Sequence, residues 1–227
     1  MRTYMTDKRY VILLQMLQTI FGLFLFSFGT YMLIQANIGL DPWDALSMGI
    51  SGRTPLSYGI AHTGVSVVIL LFDIMMKEKI GYGTLFDALL VGNFVDLIAW
   101  VGPIQVQQGL LAGIIWMIAG LFVMAYGQFL YMSAGMGCGP RDSFLVGIGR
   151  RLYRLPIGAV EILILAVVLA AAFLLGGPIG VGTVISTFGV GAAMQVVFRT
   201  LRFEPRGVLH RNLLETTRML AGGARRP

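Results

Sequence analysis

Five side chains in this sequence put ionisable or amide chemistry inside or beside long apolar runs: Asp44, His62, Asn93, Asp142 and Glu161. Burying such groups in a hydrocarbon medium is costly, and they mark ion or solute paths by default. Two of the carboxylates share a motif. Gly39-Leu-Asp-Pro-Trp-Asp44 returns 98 positions later as Gly137-Cys-Gly-Pro-Arg-Asp142, with Gly, Pro and Asp in register. Gly39, Pro42, Gly137 and Pro140 are its turn formers. Two chemistries are open to the pair. In the first, Asp41 caps a helix beginning at Pro42, and Asp44 complements the dipole from the first turn. In the second, the short helices aim polar ends at a substrate or ion, as discontinuous helices of inverted repeats do. The second copy has Gly139 in place of the capping Asp41 but keeps the helix-starting Pro140 and Asp142.

His62 and Glu161 are equivalent at an offset of 99. At about 1.5 Å per residue, His62 lies roughly 9 Å from one membrane face. Glu161 at a similar depth from the other face leaves about 12 Å between them in a core of about 30 Å. That is too far for a direct bond but compatible with lining one path. The plain alternative for His62 is an interior hydrogen bond to a backbone group or a Tyr. Asn93 is the deepest polar group of its segment, with Asp87 and Asp96 nearer the ends where water reaches. Asp73 stands four residues before Lys77, the spacing of a helix-surface ion pair. Trp43, Trp100 and Trp116 read as interfacial or packing aromatics. No His-Glu-x-x-His, Gly-x-Ser-x-Gly or phosphate loop occurs. Two histidines and one cysteine, Cys138, are too few for a dedicated soft-metal site. The expectation is a protein that is not an enzyme and needs no metal or cofactor.

The elements that must position these residues follow from composition. Of 227 residues, 56% are hydrophobic and 12% charged, against about 45–50% and about 25% in a soluble domain. Apolar runs of about 20 residues span a bilayer as helices. A β-barrel needs alternating segments of roughly 10 residues, which are missing. Spans are expected at about 10–36, 56–76, 84–101, 109–134, 156–175 and 183–198, with short segments at 42–50 and 140–149. The first run is too long for a signal-peptide core, so it counts as a retained span.

Further matches extend the duplication. Gly22, Gly29 and Ala36 recur as Gly120, Gly127 and Ala134; Gly81-x-Gly83-Thr84 recurs as Gly180-x-Gly182-Thr183. Three spans per half is an odd number, so the second half enters from the opposite face. The fold expected is all-α: one polytopic membrane domain, 1–227, of six transmembrane helices in two inverted-topology repeats. The repeats cover about 10–101 and about 109–198, each with a short extra helix after its first span, and a basic tail occupies 199–227.

Charge sets the orientation. With both termini in the cytoplasm, inside segments carry sixteen of the 17 Lys and Arg residues, and outside segments carry only Arg53. That is the positive-inside pattern, and it explains a net charge of +6 without nucleic acid. Leu209, Leu213, Leu214 and Leu220 recur near helical spacing in the tail, with arginines between them. Such a helix can lie on an anionic inner leaflet.

The repeated turns at Gly39–Gly49 and Gly137–Gly147 make the chain from Val11 to Phe198 resemble the YczE/YyaS/YitT group of bacterial integral membrane proteins. The short tail is similar to the YczE-like branch, since YitT-like members carry an added soluble domain. The resemblance implies a multi-pass protein of a bacterial plasma membrane and supplies no substrate or catalytic residue. The leading functional expectation is a small secondary transporter or permease for a solute or ion, its path between the inverted halves. The other is a non-transporting accessory protein acting through a membrane partner or another copy of itself.

Overall fold

Prolines and glycines set the helix boundaries. A computed structural model describes residues 2–205, 208 and 211–220, with side chains from residue 9 onward. Among the described residues it is helical throughout: α1 (Arg2–Ala36), α2 (Pro42–Arg53), α3 (Tyr58–Met76), α4 (Tyr82–Val101), α5 (Leu110–Ser133), α6 (Pro140–Arg151), α7 (Ile157–Leu174), α8 (Val181–Thr200) and α9 (Leu213–Leu220). The six longest, with α1 counted from Arg9, are long and apolar enough to cross a membrane. Each expected span has its helix, with ends displaced by at most two residues. The protein is an all-helical membrane protein with six spans.

Capping explains the starts. Asp41 Oδ1 accepts from Trp43 N at 2.9 Å and Asp44 N at 3.3 Å, and Ser57 Oγ accepts from Ile60 N at 3.2 Å. Pro42 and Pro140 occupy the first helical positions, where a missing N–H costs nothing. Gly81 N and Gly180 N donate to Thr84 Oγ1 and Thr183 Oγ1, at 3.3 and 3.0 Å. Each group satisfied this way matters, because lipid offers no replacement partner.

Between spans there is little hydrophobic drive, so packing depends on small residues. The main crossing is α1 with α5. A Cβ on Gly22 would lie 2.8 Å from Gly127 O, and one on Gly29 would lie 2.7 Å from Gly120 O. The sequence repeat equates Gly22 with Gly120 and Gly29 with Gly127, so each touches the other's counterpart. The corners behave alike. Gly182 N donates to Ile38 O at 2.7 Å, and Gly83 N to Met136 O at 2.8 Å. Gly39 and Gly137, at φ +109° and +129°, turn the chain beside those bonds.

α2 and α6 run between α3 and α7 and pack on both. α9 closes the second corner from below: Arg211 N donates to Gly135 O at 3.1 Å, and Leu213 N to Ile80 O at 2.9 Å. Leu220 packs with Ile12, Ala134 and Met136, so this part of the tail docks on protein. Arg206, Leu209, Arg225 and Arg226 lie outside the described residues, as do the side chains of Arg2 and Lys8.

One expectation is corrected. Asp73 forms no ion pair with Lys77, because Lys77 adopts φ +60° as the C-cap and leaves the helical register that aligns i with i+4.

The glycine crossing can be tested by thermal unfolding in detergent. Gly29→Val is expected to cost about 1–3 kcal/mol through overpacking. Gly191→Ala, inside α8 where a Cβ meets nothing within 4 Å, should not lower the midpoint, since Ala favours a helix over Gly.

Candidate functional site

The cap at Asp41 determines what Asp44 is free to do. With Asp41 holding the first N–H groups of α2, Asp44 points its carboxylate elsewhere. It is 2% exposed and lies 3.5 Å from Arg141 Nη2, at the start of α6. The same Nη2 is 2.9 Å from His62 Nε2 on α3. A guanidinium has no lone pair to offer, so His62 Nε2 accepts and the imidazole is neutral, with its proton on Nδ1. That Nδ1 is buried and has no protein hydrogen-bond partner. Tyr58 packs on His62 with ring centroids 5.8 Å apart. The Arg141 Cζ stands 5.4 Å from the centre of the Trp43 ring, within cation–π range.

Burial pushes the Asp44 carboxyl upward, and the Arg141 guanidinium reverses this, leaving it below the ordinary carboxylate value. The Asp41 carboxyl is raised by burial and by the neighbouring Asp44 charge. Arg141 is held charged against its own burial by Asp44 and Asp41.

Beside this cluster lies a cavity of about 230 Å³. Six pairs of residues in its walls are ones that the repeat equates. Phe26 and Met124 come from α1 and α5, and Val91 and Val190 from α4 and α8. The polar positions pair in the same way but with unlike chemistry: Asp41 with Gly139, Trp43 with Arg141, His62 with Glu161, and Asp87 with Ser186. Asp142 also lines the cavity, and both it and Glu161 are exposed.

Of the residues singled out from sequence, His62, Asp142 and Glu161 therefore meet at one cavity, and Asp44 stands behind it, joined through Arg141. Asn93 is placed elsewhere: it is exposed, and its Nδ2 donates back to Leu89 O on its own helix. Asp96 accepts from Gly59 N at 2.9 Å, tying α4 to the start of α3. Arg141 is the residue sequence reasoning missed as part of the site; it had been counted as a cytoplasmic charge. The available signal was its place in the motif, a cation where the first copy has Trp43 immediately after the helix-starting proline.

Six spans around a small polar cavity define the class: a multi-pass helical membrane protein with charged groups in its interior. The chain belongs to a family of unknown function, DUF6198, whose model matches residues 13–199. It is 28% identical over 180 residues to the "Uncharacterized membrane protein YczE" of Bacillus subtilis, covering 77% of this chain and 80% of that one. It is 29% identical over 178 residues to the "Uncharacterized protein YyaS" of the same organism, covering 77% and 88%. An "Uncharacterized protein" of Haemophilus influenzae is 28% identical over 176 residues, covering 78% and 79%. No solved structure matches the chain.

Asp44→Asn is expected to destabilise the purified protein at neutral pH by about 1–3 kcal/mol, the scale of a lost charge-assisted bond. The folded-state pKa of Asp44 lies below its unfolded value. The wild-type advantage is therefore present above the unfolded value and fades as pH falls through the folded one. Thermal midpoints of both proteins across an acid titration check the sign; a gap that widens with acid contradicts it.

Proposed function

We propose that this protein is a small secondary transporter or permease of a bacterial plasma membrane, built from inverted repeats at about 10–101 and 109–198. Its solute path runs through the cavity beside Arg141. One observation carries the reading: twelve of the cavity's twenty lining residues form six pairs that the sequence repeat equates, drawn from α1 with α5, α2 with α6 and their caps, α3 with α7 and α4 with α8. Transporters built on inverted repeats bind substrate near the midplane at the repeat interface. The reciprocal glycine contacts and corner hydrogen bonds support the same relation, since a two-fold axis requires residue i to meet j′ whenever j meets i′.

The residues then divide the work. Asp142 and Glu161 face the solute. Arg141 joins Asp44 and His62 of the first repeat to the start of α6 in the second, so sliding the repeats past one another changes this contact first. Moving Arg141 out of the cytoplasmic count leaves fifteen cationic residues inside against Arg53 outside. The topology, with both termini in the cytoplasm, keeps its support. The reading assigns binding and movement to the protein and no bond-making chemistry, metal or cofactor.

Topology is testable because Cys138 is the single cysteine. In a Cys138→Ser background, Gly52→Cys is expected to react with a membrane-impermeant thiol reagent on intact cells, and Arg154→Cys only after permeabilisation. Reaction of both from one side removes the inverted arrangement.

Transport is tested by solute-flux screens in proteoliposomes. The expected outcome is a saturable flux that Glu161→Gln or Asp142→Asn lowers by about tenfold, a loss of about 1.4 kcal/mol, with folding intact. Folded wild-type protein that moves nothing, while cross-linking recovers a stoichiometric membrane partner, points instead to an accessory role.

A further inference from the structure

The cavity has an apolar neighbour. A groove of about 680 Å³ runs between α3 and α7, and among the described residues no charged one lines it. α2 and α6 form its floor, through Leu46, Ile50, Phe144 and Ile148, while Val68 and Val167 stand on its two sides. Val68 and Val167 are exposed, so in a membrane this groove opens sideways to the hydrocarbon of the bilayer. Trp43 and Ile164 line both the groove and the polar cavity. The two spaces share those walls and lie end to end.

Their chemistries differ sharply. The cavity carries Asp41, Asp87, Asp142 and Glu161, and its one cation, Arg141, already has Asp44 opposite it. Asp142 and Glu161 remain with no cation in ion-pair range among the described residues. His62 lines the same cavity, is 3% exposed, and keeps a buried Nδ1 donor with no protein partner. Such a donor fits an acceptor oxygen supplied by a ligand, because a buried polar group without a partner is costly.

We infer that the substrate is a single-tailed amphiphile with a cationic amine head and an oxygen acceptor beside the amine. This rests on the cavity being the substrate site of the proposed path. The ammonium sits against Asp142 and Glu161, the oxygen accepts a hydrogen bond from His62 Nδ1–H, and the tail passes Trp43 into the groove. Entry is lateral, from the bilayer. Groove and cavity together match both ends of such a molecule; a fully hydrophilic solute leaves the groove without a role.

The test uses full-length protein in nanodiscs and a dodecyloxyethylamine probe carrying a diazirine in its tail. Dodecyloxyethanol with the same tail is the uncharged control. Photolabelling of the Val68–Phe72 and Leu163–Val168 segments should exceed the control by about tenfold, the scale of one charge-assisted hydrogen bond. Unlabelled dodecyloxyethylamine should compete it away. The Asp142→Asn/Glu161→Gln double variant should reduce the amine probe to the level of the alcohol.

A second variant guards against misfolding. Gly64 lines the groove, and a Cβ there meets nothing within 4 Å, so Gly64→Phe directs a ring into the groove from an unobstructed Cβ. It should abolish groove labelling and leave calorimetric binding of butoxyethylamine unchanged. Equal labelling by amine and alcohol, or labelling that survives Gly64→Phe, overturns the inference and makes the groove an ordinary lipid-facing surface. Transport fails separately. Amine-selective labelling without flux in proteoliposomes keeps the amphiphile site and removes the transporter, whereas flux of tail-free solutes without selective labelling does the reverse.

Discussion

Where α1 crosses α5, backbone lies against backbone with no side chain between, at Gly22 with Gly127 and at Gly29 with Gly120. In a bilayer this closeness replaces the hydrophobic force that would hold the helices together in water. Much else depends on it. The crossing brings the end of α1 to the start of α8, where Gly182 N reaches Ile38 O, and the end of α5 to the start of α4, where Gly83 N reaches Met136 O. From those corners α2 and α6 set off between α3 and α7, which brings Trp43 under the guanidinium of Arg141. A larger residue at either crossing pushes the corners apart and with them the walls of the cavity.

The glycine contacts and corner hydrogen bonds recur between the halves, and the chemistry at their meeting place does not. Asp44 and Asp142 hold the same place in the motif and have different fates. One arginine can neutralise one of them at close range; Asp44 has it and is buried, while Asp142 stays open to the cavity. His62 against Glu161 and Asp87 against Ser186 repeat this pattern of shared position and unlike function. Unlike groups at equivalent cavity positions are what a binding site requires of a duplicated scaffold, since a symmetric site would present the same group twice.

Length, span boundaries and the caps at Asp41, Pro42 and Pro140 were legible in the sequence, because each depends on residues close together in the chain. Azimuth was not. A soluble helix reveals its inner face by an apolar stripe, but these spans are apolar all round, since lipid and protein interior look alike. Asn93 shows the consequence, since its outward direction could not be read from the sequence. Arg141 was misjudged on other grounds. Proximity to Arg150 and Arg151 made it look like part of a cytoplasmic cluster, while its contacts with Asp44 and His62 span 97 and 79 residues of sequence. Such pairing exists only once the corners are in place.

The proposed lateral route also has an energetic logic. A hydrocarbon tail moving from the bilayer into the groove between α3 and α7 leaves one apolar medium for another, so the hydrophobic effect contributes little. The groove therefore admits tails without selecting strongly among them. Discrimination falls to the headgroup, where an amine meets Asp142 and Glu161. Binding that is weak at one end and charge-dependent at the other suits a transporter better than a tight receptor. The tail can leave by the way it came once the pairing at the head is disturbed, and Arg141, shared between Asp44 and His62 beside that head, is the group placed to disturb it.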